Sequence, residues 1–346
     1  MSIKETYDYY AKEGYLKAIP YGNLTLYNYT DACVRSGNWN YHTMTARGLI
    51  LAQDGKIVGY PFRKFFNLGE GEANTLNNLP KETPELSEKY DGSMIVAFRN
   101  PETKKWQAVT RGCWDNVQTQ FANRWLEVNG HKLSCEYTYL FELVAPWNRI
   151  VVKYAKEDMI LIGVVHTESG QDWSYRDVRE FALSKGITPV YFETRPIDSL
   201  KLDDPLVVNQ EGFVARFSNG FRVKLKYDQY KILHKIVTGL SQKGIWEMLA
   251  SGGTLDLKNV PDEFLGWFNE EKLKFQQAYR KIEKEAREVF DTTPKFPDRK
   301  SYAENFLKFG KVSAVLFAML DNKSYSGQIW KMMKPSGGKV WKEDEN

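Results

Sequence analysis

A chain of 346 residues with 42% hydrophobic and 27% charged residues has the composition of a soluble globular protein, which argues against disorder and against a membrane class. The length fits two domains better than one small core. A formal net charge of +4 and 14% aromatic residues suit a nucleic-acid partner without requiring one.

The start of the chain, Met1 to Thr6, places no apolar core behind a basic end. We therefore expect no signal peptide and a cytoplasmic location. Cys33, Cys113 and Cys135 lie far apart and form no C-x-x-C pair, which predicts reduced thiols rather than disulfides or a zinc cluster.

From Gly22 to about Tyr230 the sequence predicts an antiparallel sheet interrupted by helices. Asp54-Gly55 and Asn219-Gly220 indicate tight hairpins, because these residues tolerate positive φ. The expected strand pairs are 48–52 with 56–60, 95–99 with 106–110, 159–166 with Trp173, and 213–217 with 221–225. The expected helices are Val117–Asn129 and Tyr175–Lys185. This is an α+β arrangement.

The period changes after about Lys231. Apolar residues then recur every three to four positions, which predicts a long helix starting near Asp262 and a second helix further on. The two stripes are Phe275, Tyr279, Ile282, Ala286 and Val289 or Phe290, then Val312, Val315, Leu316, Met319 and Leu320. We place the boundary between an α+β domain, 1–235, and an all-α C-terminal domain, 236–346.

A K-x-D-G tetrapeptide at Lys89-Tyr90-Asp91-Gly92 contains a candidate nucleophile. Lysine attacks phosphorus as the free amine, and cationic or apolar neighbours can lower its pKa enough to supply that form. Asp91 and Gly92 would shape the turn and admit a phosphate close to the backbone. An ordinary polar turn is the alternative, and the tetrapeptide alone does not decide between them.

Cations at the ends of predicted strands share this phosphate chemistry. Arg47 enters one strand, Lys64 precedes Phe65 and Phe66, and Arg111 follows another strand. Each alone is typical of a solvated surface. Strand alternation sends Lys224 and Lys226 to one face, where their charges repel unless an anion such as phosphate lies between them.

Two acids complete the set. Glu142 lies inside the apolar strand 141–145, where a carboxylate needs either a salt bridge or a ligand. Glu211, on the strand paired with Lys224 and Lys226, could hold Mg²⁺ against a phosphate.

Taken in order, the motifs K-x-D-G, F-E, E-G-F-V and K-L-K resemble those of the covalent nucleotidyltransferase superfamily of DNA ligases, RNA ligases and mRNA capping enzymes. Within it the resemblance is strongest to the RNA ligase 1 family of T-even phages and spans roughly Tyr27 to Lys258. It is carried by Tyr27-Asn28-Tyr29, Ala46-Arg47-Gly48, Lys64–Leu68, Phe141–Pro146, Asn148–Val151 and Lys224-Leu225-Lys226.

The resemblance implies a nucleotidyltransferase domain and an ATP-dependent RNA ligase. Its lysine would attack ATP to form lysyl-AMP, pass AMP to an RNA 5′-phosphate, and then seal that end to a 3′-hydroxyl. The implied substrate is single-stranded or nicked-loop RNA, such as a cleaved tRNA repaired in the host cytoplasm by a phage-encoded enzyme. We expect a monomer that contacts no membrane.

The resemblance also implies residue roles. Arg47, Lys64, Phe66 and Arg111 would surround the ATP phosphates, and Tyr27 and Glu142 the nucleoside. Lys224 and Lys226 would hold the α-phosphate, Glu211 a Mg²⁺ or Mn²⁺ ion, and Tyr230 would serve the later steps. The family has two consecutive acids before Leu-Lys, whereas this chain keeps only Asp256 as a second candidate metal ligand.

Three alternatives share parts of this pattern. A DNA ligase or a capping guanylyltransferase has the same core but usually adds an OB-fold barrel, whereas helical stripes follow here. A non-catalytic nucleic-acid-binding protein would not need the nucleophile Lys89.

Overall fold

The structure is a computed structural model that describes residues 2–239, 241–254 and 262–335. The chain divides into two compact units, Met1–Lys231 and Ile232–Asn346. The helices of the first unit are α1 (Ile3–Lys12), α2 (Asp31–Ser36), α3 (Tyr41–Thr45), α4 (Val117–Asn129) and α5 (Tyr175–Lys185). Its strands are β1 (Leu16–Tyr21), β2 (Leu24–Tyr29), β3 (Arg47–Ala52), β4 (Ile57–Gly59), β5 (Phe66–Asn67), β6 (Glu85–Lys89), β7 (Ser93–Arg99), β8 (Trp106–Thr110), β9 (Tyr137–Val144), β10 (Asp158–His166), β11 (Phe192–Thr194), β12 (Gly212–Arg216) and β13 (Arg222–Lys226).

The strands form three sheets with the orders β1-β2-β3-β4, β10-β9-β7-β8 and β11-β6-β12-β13-β5. Pairing between the described strands is antiparallel except between β13 and β5. The predicted hairpins form as β3–β4, β7–β8 and β12–β13. Trp173 does not form a strand, but its N–H group donates to the Val164 carbonyl oxygen at 3.0 Å, next to an isolated bridge between Val165 and Asp172. The α+β prediction is confirmed.

Alternation along β7 shows how the core is built. Ile95 and Ala97 face a cluster covered by α4 and α5, whereas Val96 and Phe98 face the sheet that contains β3. Because both faces of β7 are covered, its sequence is a continuous apolar run over residues 94–98.

The N-terminal segment differs from the prediction, which started the sheet at Gly22. Helix α1 begins with a capping box between Ser2 and Glu5, and β1 extends through Pro20. Proline discourages a strand assignment, but β1 is an edge strand, where the missing N–H group removes no needed hydrogen bond.

The predicted strands did not include the residues around Lys89. Lys89 is the last residue of strand β6, and the turn follows it. The sequence of β6 is mostly polar, with Leu86 its one apolar residue, so periodicity did not reveal a strand in the middle of a sheet.

The described part of the second unit is helical. Helix α6 (Asp228–Gly239) spans the boundary between the units, and further helices follow: α7 (Gln242–Ser251), α8 (Asp262–Thr292), α9 (Arg299–Phe306), α10 (Ser313–Leu320) and α11 (Ser326–Met332). The predicted stripe on α8 packs through Ala286 against Val315 and Leu316. Among the helices described, none is both long and apolar enough to cross a membrane.

Candidate active site

The register of three neighbouring strands places Lys89 beside two other motif residues. Lys89 on β6 pairs with Gly212 on β12, and Gly212 pairs with Lys226 on β13. Gly212 has a φ of +142°, and a Cβ atom there would lie 2.0 Å from the Leu225 carbonyl oxygen. Only glycine fits this position, and Glu211 directly before it is thereby held against both lysines.

Glu211 divides its two carboxylate oxygens between those lysines. Oε2 lies 2.8 Å from Lys89 Nζ, and Oε1 lies 2.8 Å from Lys226 Nζ. The Glu211 side chain is 2% exposed, whereas that of Lys89 is 22% exposed. The buried carboxylate is therefore fully paired, and the amine at its side remains within reach of a ligand.

Lys224 lacks such a partner. No carboxylate of the described residues comes within 4 Å of its ammonium group. Burial, together with the neighbouring cations Arg47 and Lys64, lowers the pKa of Lys224 to about 6. A bound anion would restore its charge, because an opposite charge favours the ionised form.

Glu142 on β9 is a half-buried acid without an ion pair to any described residue. Burial raises the pKa of Glu142 to about 7, while Lys89 and Arg47 oppose the rise. Its Oε1 accepts a hydrogen bond from the Gly92 N–H group at 3.1 Å. The sequence predicted either a salt bridge or a ligand at Glu142, and the described residues provide no salt bridge.

A cavity of about 120 Å³ joins these groups. Arg47 enters it from the first sheet, with Nη1 donating to Met94 Sδ at 3.0 Å. The other lining residues are Phe62, Phe65, Ser87, Glu88, Lys89, Tyr90, Glu142, Ile162, Tyr175, Val214, Lys224 and Lys226. The cavity thus combines an amine with unpaired cations and apolar walls, which suits a ligand with a phosphate at one end and an aromatic ring at the other.

The Asp91-Gly92 turn is fixed by the protein itself. Asp91 Oδ2 accepts hydrogen bonds from the Val151 and Val152 N–H groups at 2.7 and 2.9 Å. A Cβ atom on Gly92 would lie 2.3 Å from the Leu143 carbonyl oxygen. The small size of Gly92 is therefore required by its contact with β9.

Tyr230, at the start of α6, belongs to the same network. Its hydroxyl donates to Asp91 Oδ1 at 2.7 Å, and Lys226 Nζ lies 5.0 Å from the centre of its ring. Burial raises the pKa of Tyr230, and Glu211 and Asp91 raise it further. Tyr230 thus links α6 to the turn that follows Lys89.

Lys64, Phe66 and Arg111 lie in a cluster of cations on aromatic rings. Lys64 Nζ lies 4.3 Å from the ring centre of Phe66 and 5.4 Å from that of Trp39. Arg111 donates to the Tyr29 hydroxyl at 3.1 Å, and the Tyr29 and Trp39 rings are in contact. Sequence reasoning gave no role to Trp39, although a lone tryptophan in the polar segment Gly37–Asn40 was a signal for one.

The structure does not bring Tyr27 into the cavity. Tyr27 is fully buried under α1, where its hydroxyl donates to Asp8 Oδ1 at 2.6 Å. A nucleoside contact would require Tyr27 to leave this core, and the structure therefore does not support the predicted contact. Asp256 lies outside the described residues. In the part of the chain that the structure describes, no three His, Cys, Asp or Glu side chains gather as a metal site.

Known proteins share sequence and fold with this chain. A relative, the RNA ligase of Rhodothermus phage RM378, is 25% identical, and the alignment covers 88% of this chain and 84% of the relative. Two solved structures share the fold, each with a TM-score of 0.50 and an alignment that covers 93% of this chain. One is a candidate ATP-dependent DNA ligase from Aquifex aeolicus, which is 14% identical and is covered over 99% of its length. The other is an archaeal ATP-dependent RNA ligase, which is 12% identical and is covered over 96% of its length. A family model described as RNA ligase matches residues 45–230, more than half of the chain and nearly all of the described site. The chain therefore belongs to the RNA ligase family of the RNA ligase 1 type.

Proposed function

We propose that this RNA ligase is ATP-dependent and carries AMP on Lys89 during the reaction. The observation that carries the proposal is the cavity itself, in which the Lys89 amine lies among Arg47, Lys224 and Lys226. Arg47 and Lys224 have no carboxylate partner within 4 Å among the described residues. An α-phosphate between these cations would face the amine.

In the first step, the neutral Lys89 amine attacks the α-phosphorus of ATP. A nitrogen–phosphorus bond forms, the bond from the α-phosphorus to the bridging oxygen breaks, and pyrophosphate leaves. The lysine must first lose a proton, and Glu211 at 2.8 Å is within reach to accept it. Arg47, Lys224 and Lys226 neutralise the charge that develops on the phosphate oxygens.

Two further displacements complete the joining. An oxygen of an RNA 5′-phosphate attacks the same phosphorus, breaks the bond to Lys89 and takes the AMP. A 3′-hydroxyl oxygen then attacks the phosphorus of that 5′-phosphate, and AMP leaves. The carboxylate of Glu211 is the donor type that Mg²⁺ or Mn²⁺ prefers, and Glu211 would hold such an ion, which would supply positive charge near the reacting phosphate.

Strand joining tests the proposal directly. The protein, a divalent ion and ATP are incubated with 5′-phosphorylated single-stranded RNA or with DNA of the same sequence, and circles and joined strands are separated on a denaturing gel. We expect ATP-dependent joining of RNA that is lost in Lys89→Ala. Joining by Lys89→Ala would overturn the covalent route, and preferential joining of DNA would favour a DNA ligase.

We also propose a broken tRNA loop as the substrate, which is what the resemblance to the T-even phage RNA ligases implies. Such RNA holds its 3′-hydroxyl near its 5′-phosphate. A stem-loop nicked in its loop should be sealed faster than the same two strands unpaired, and equal rates would remove this substrate preference.

A further inference from the structure

A larger groove of about 760 Å³ adjoins the Lys89 cavity. It lies between segment 60–66, which follows β4, and the Asn219-Gly220 turn that joins β12 and β13. Phe62 and Phe65 line both the groove and the cavity. The groove and the Lys89 cavity therefore share a wall formed by these two rings.

The groove carries an excess of positive charge. Its charged lining residues are Arg63, Lys64, Asp172, Arg216 and Arg222. Asp172 binds both Arg216 and Arg222, which makes that trio structural. Arg63 and Lys64 have no carboxylate within 4 Å in the described part of the chain, so they are available to an anionic partner.

Aromatic rings accompany the cations. Phe65, Phe66 and Phe221 line the groove with partly exposed rings, whereas Tyr60 and Phe62, also in its lining, are buried. The guanidinium of Arg63, an exposed residue, lies 4.5 Å from the ring centre of Tyr41, which is 52% exposed. Cations interleaved with rings along a groove suit a single strand, whose phosphates bind the charges while its free bases stack. A duplex hides its base faces and suits this lining less well.

We propose that this groove holds the single-stranded RNA next to the end that is joined, and that Arg63 contacts a backbone phosphate there. The inference rests on the proposed function, because Lys89 supplies the reason for an RNA end in the adjoining cavity.

The test is RNA binding measured without nucleotide, in a Lys89→Ala background so that no chemistry occurs. The probe is a short, 5′-phosphorylated, fluorescent single-stranded RNA, and its anisotropy is recorded at several salt concentrations. Arg63→Ala should weaken binding about tenfold, because one charge-assisted contact is lost. The slope of log affinity against log salt should become shallower by about 0.7.

Two variants serve as controls. Arg179→Ala removes an exposed arginine of α5 that does not line the groove, and it should leave affinity and slope as they were. Arg63→Lys keeps the charge and should restore most of the affinity and the slope.

The proposal is overturned if Arg63→Ala binds RNA with unchanged affinity and slope, if Arg179→Ala loses as much, or if blunt duplex RNA shows the same loss as the single strand. The proposed function is tested in a separate experiment, in which the protein that retains Lys89 is incubated with ATP. It fails if no lysyl-AMP forms. The binding assay uses neither ATP nor Lys89, so the two failures are distinguishable.

Discussion

At the scale of single residues, the site depends on one buried carboxylate. Glu211 pairs with Lys89 and Lys226 but leaves Lys224 without an acid partner within 4 Å among the described residues. The sequence predicted that Lys224 and Lys226 require an anion. The sequence could not show that Glu211 is the anion that pairs with Lys226, because this pairing depends on the strand register at Gly212.

Removing either cation tests this division. Lys224→Ala and Lys226→Ala should each slow lysyl-AMP formation about a hundredfold, because each group neutralises charge in the transition state. Labelled AMP bound to the denatured protein measures the rate. Lys231→Ala, which removes only an exposed ion pair with Asp228, is the matched control. Full activity in both cavity variants would show that neither lysine neutralises charge during lysyl-AMP formation.

The acid Glu142 should make stability depend on pH. Its pKa is raised to about 7 by burial, so the folded protein holds this proton more tightly than the unfolded chain does. The stability that this bound proton contributes is therefore fully present below the pKa of Glu142 in the unfolded chain, and it is lost as pH rises through about 7.

Glu142→Gln removes the titrating carboxyl group and with it the loss of stability at high pH. The substitution should raise the free energy of unfolding by up to about 3 kcal/mol at about pH 8, and by much less at about pH 5. Urea denaturation at the two pH values measures the difference. An equal effect at both would mean that Glu142 is paired in the folded protein.

At the scale of secondary-structure elements, the sequence predicted those turns and helices that depend on residues close together in the chain. Asn219-Gly220 set a hairpin, and Val117–Asn129 forms the helix that its periodicity indicated. Strand β6 was missed because its neighbours in the sheet, β11 and β12, come from segments more than a hundred residues away in the chain. The turn after Lys89 is likewise held by distant residues, Val151 and Tyr230.

Tyr230→Phe tests that long-range support. Loss of the hydrogen bond to buried Asp91 should lower the free energy of unfolding by about 1–2 kcal/mol. Chemical denaturation checks the value, with Tyr191→Phe at an exposed position as the control. No change in Tyr230→Phe would mean that Asp91 is held by the Val151 and Val152 amides alone.

At the scale of the whole molecule, the proposed ATP-binding residues Arg47 to Lys226 fall within the first compact unit. We propose that this unit is the adenylation domain and that the helical unit serves RNA choice, with the boundary near residue 235. Asp256, the second candidate metal ligand, is outside the described residues, and its role stays a prediction.

A truncated chain tests the division of labour. A fragment ending at Gly239, the last residue of α6, should form lysyl-AMP at a rate close to that of the full chain and should lose strand joining. The full chain measured beside it is the control. A folded fragment that forms no lysyl-AMP would place part of the nucleotide site in the second unit.

The central claim is that Lys89 carries AMP, and mass mapping tests it most directly. The protein is incubated with ATP and Mg²⁺, denatured, digested and analysed by tandem mass spectrometry, with GTP in a parallel sample. We predict an AMP adduct on the peptide that contains Lys89, absent with GTP and absent in Lys89→Ala. An adduct on another residue, or none on a folded and metal-supplied protein, would contradict the account.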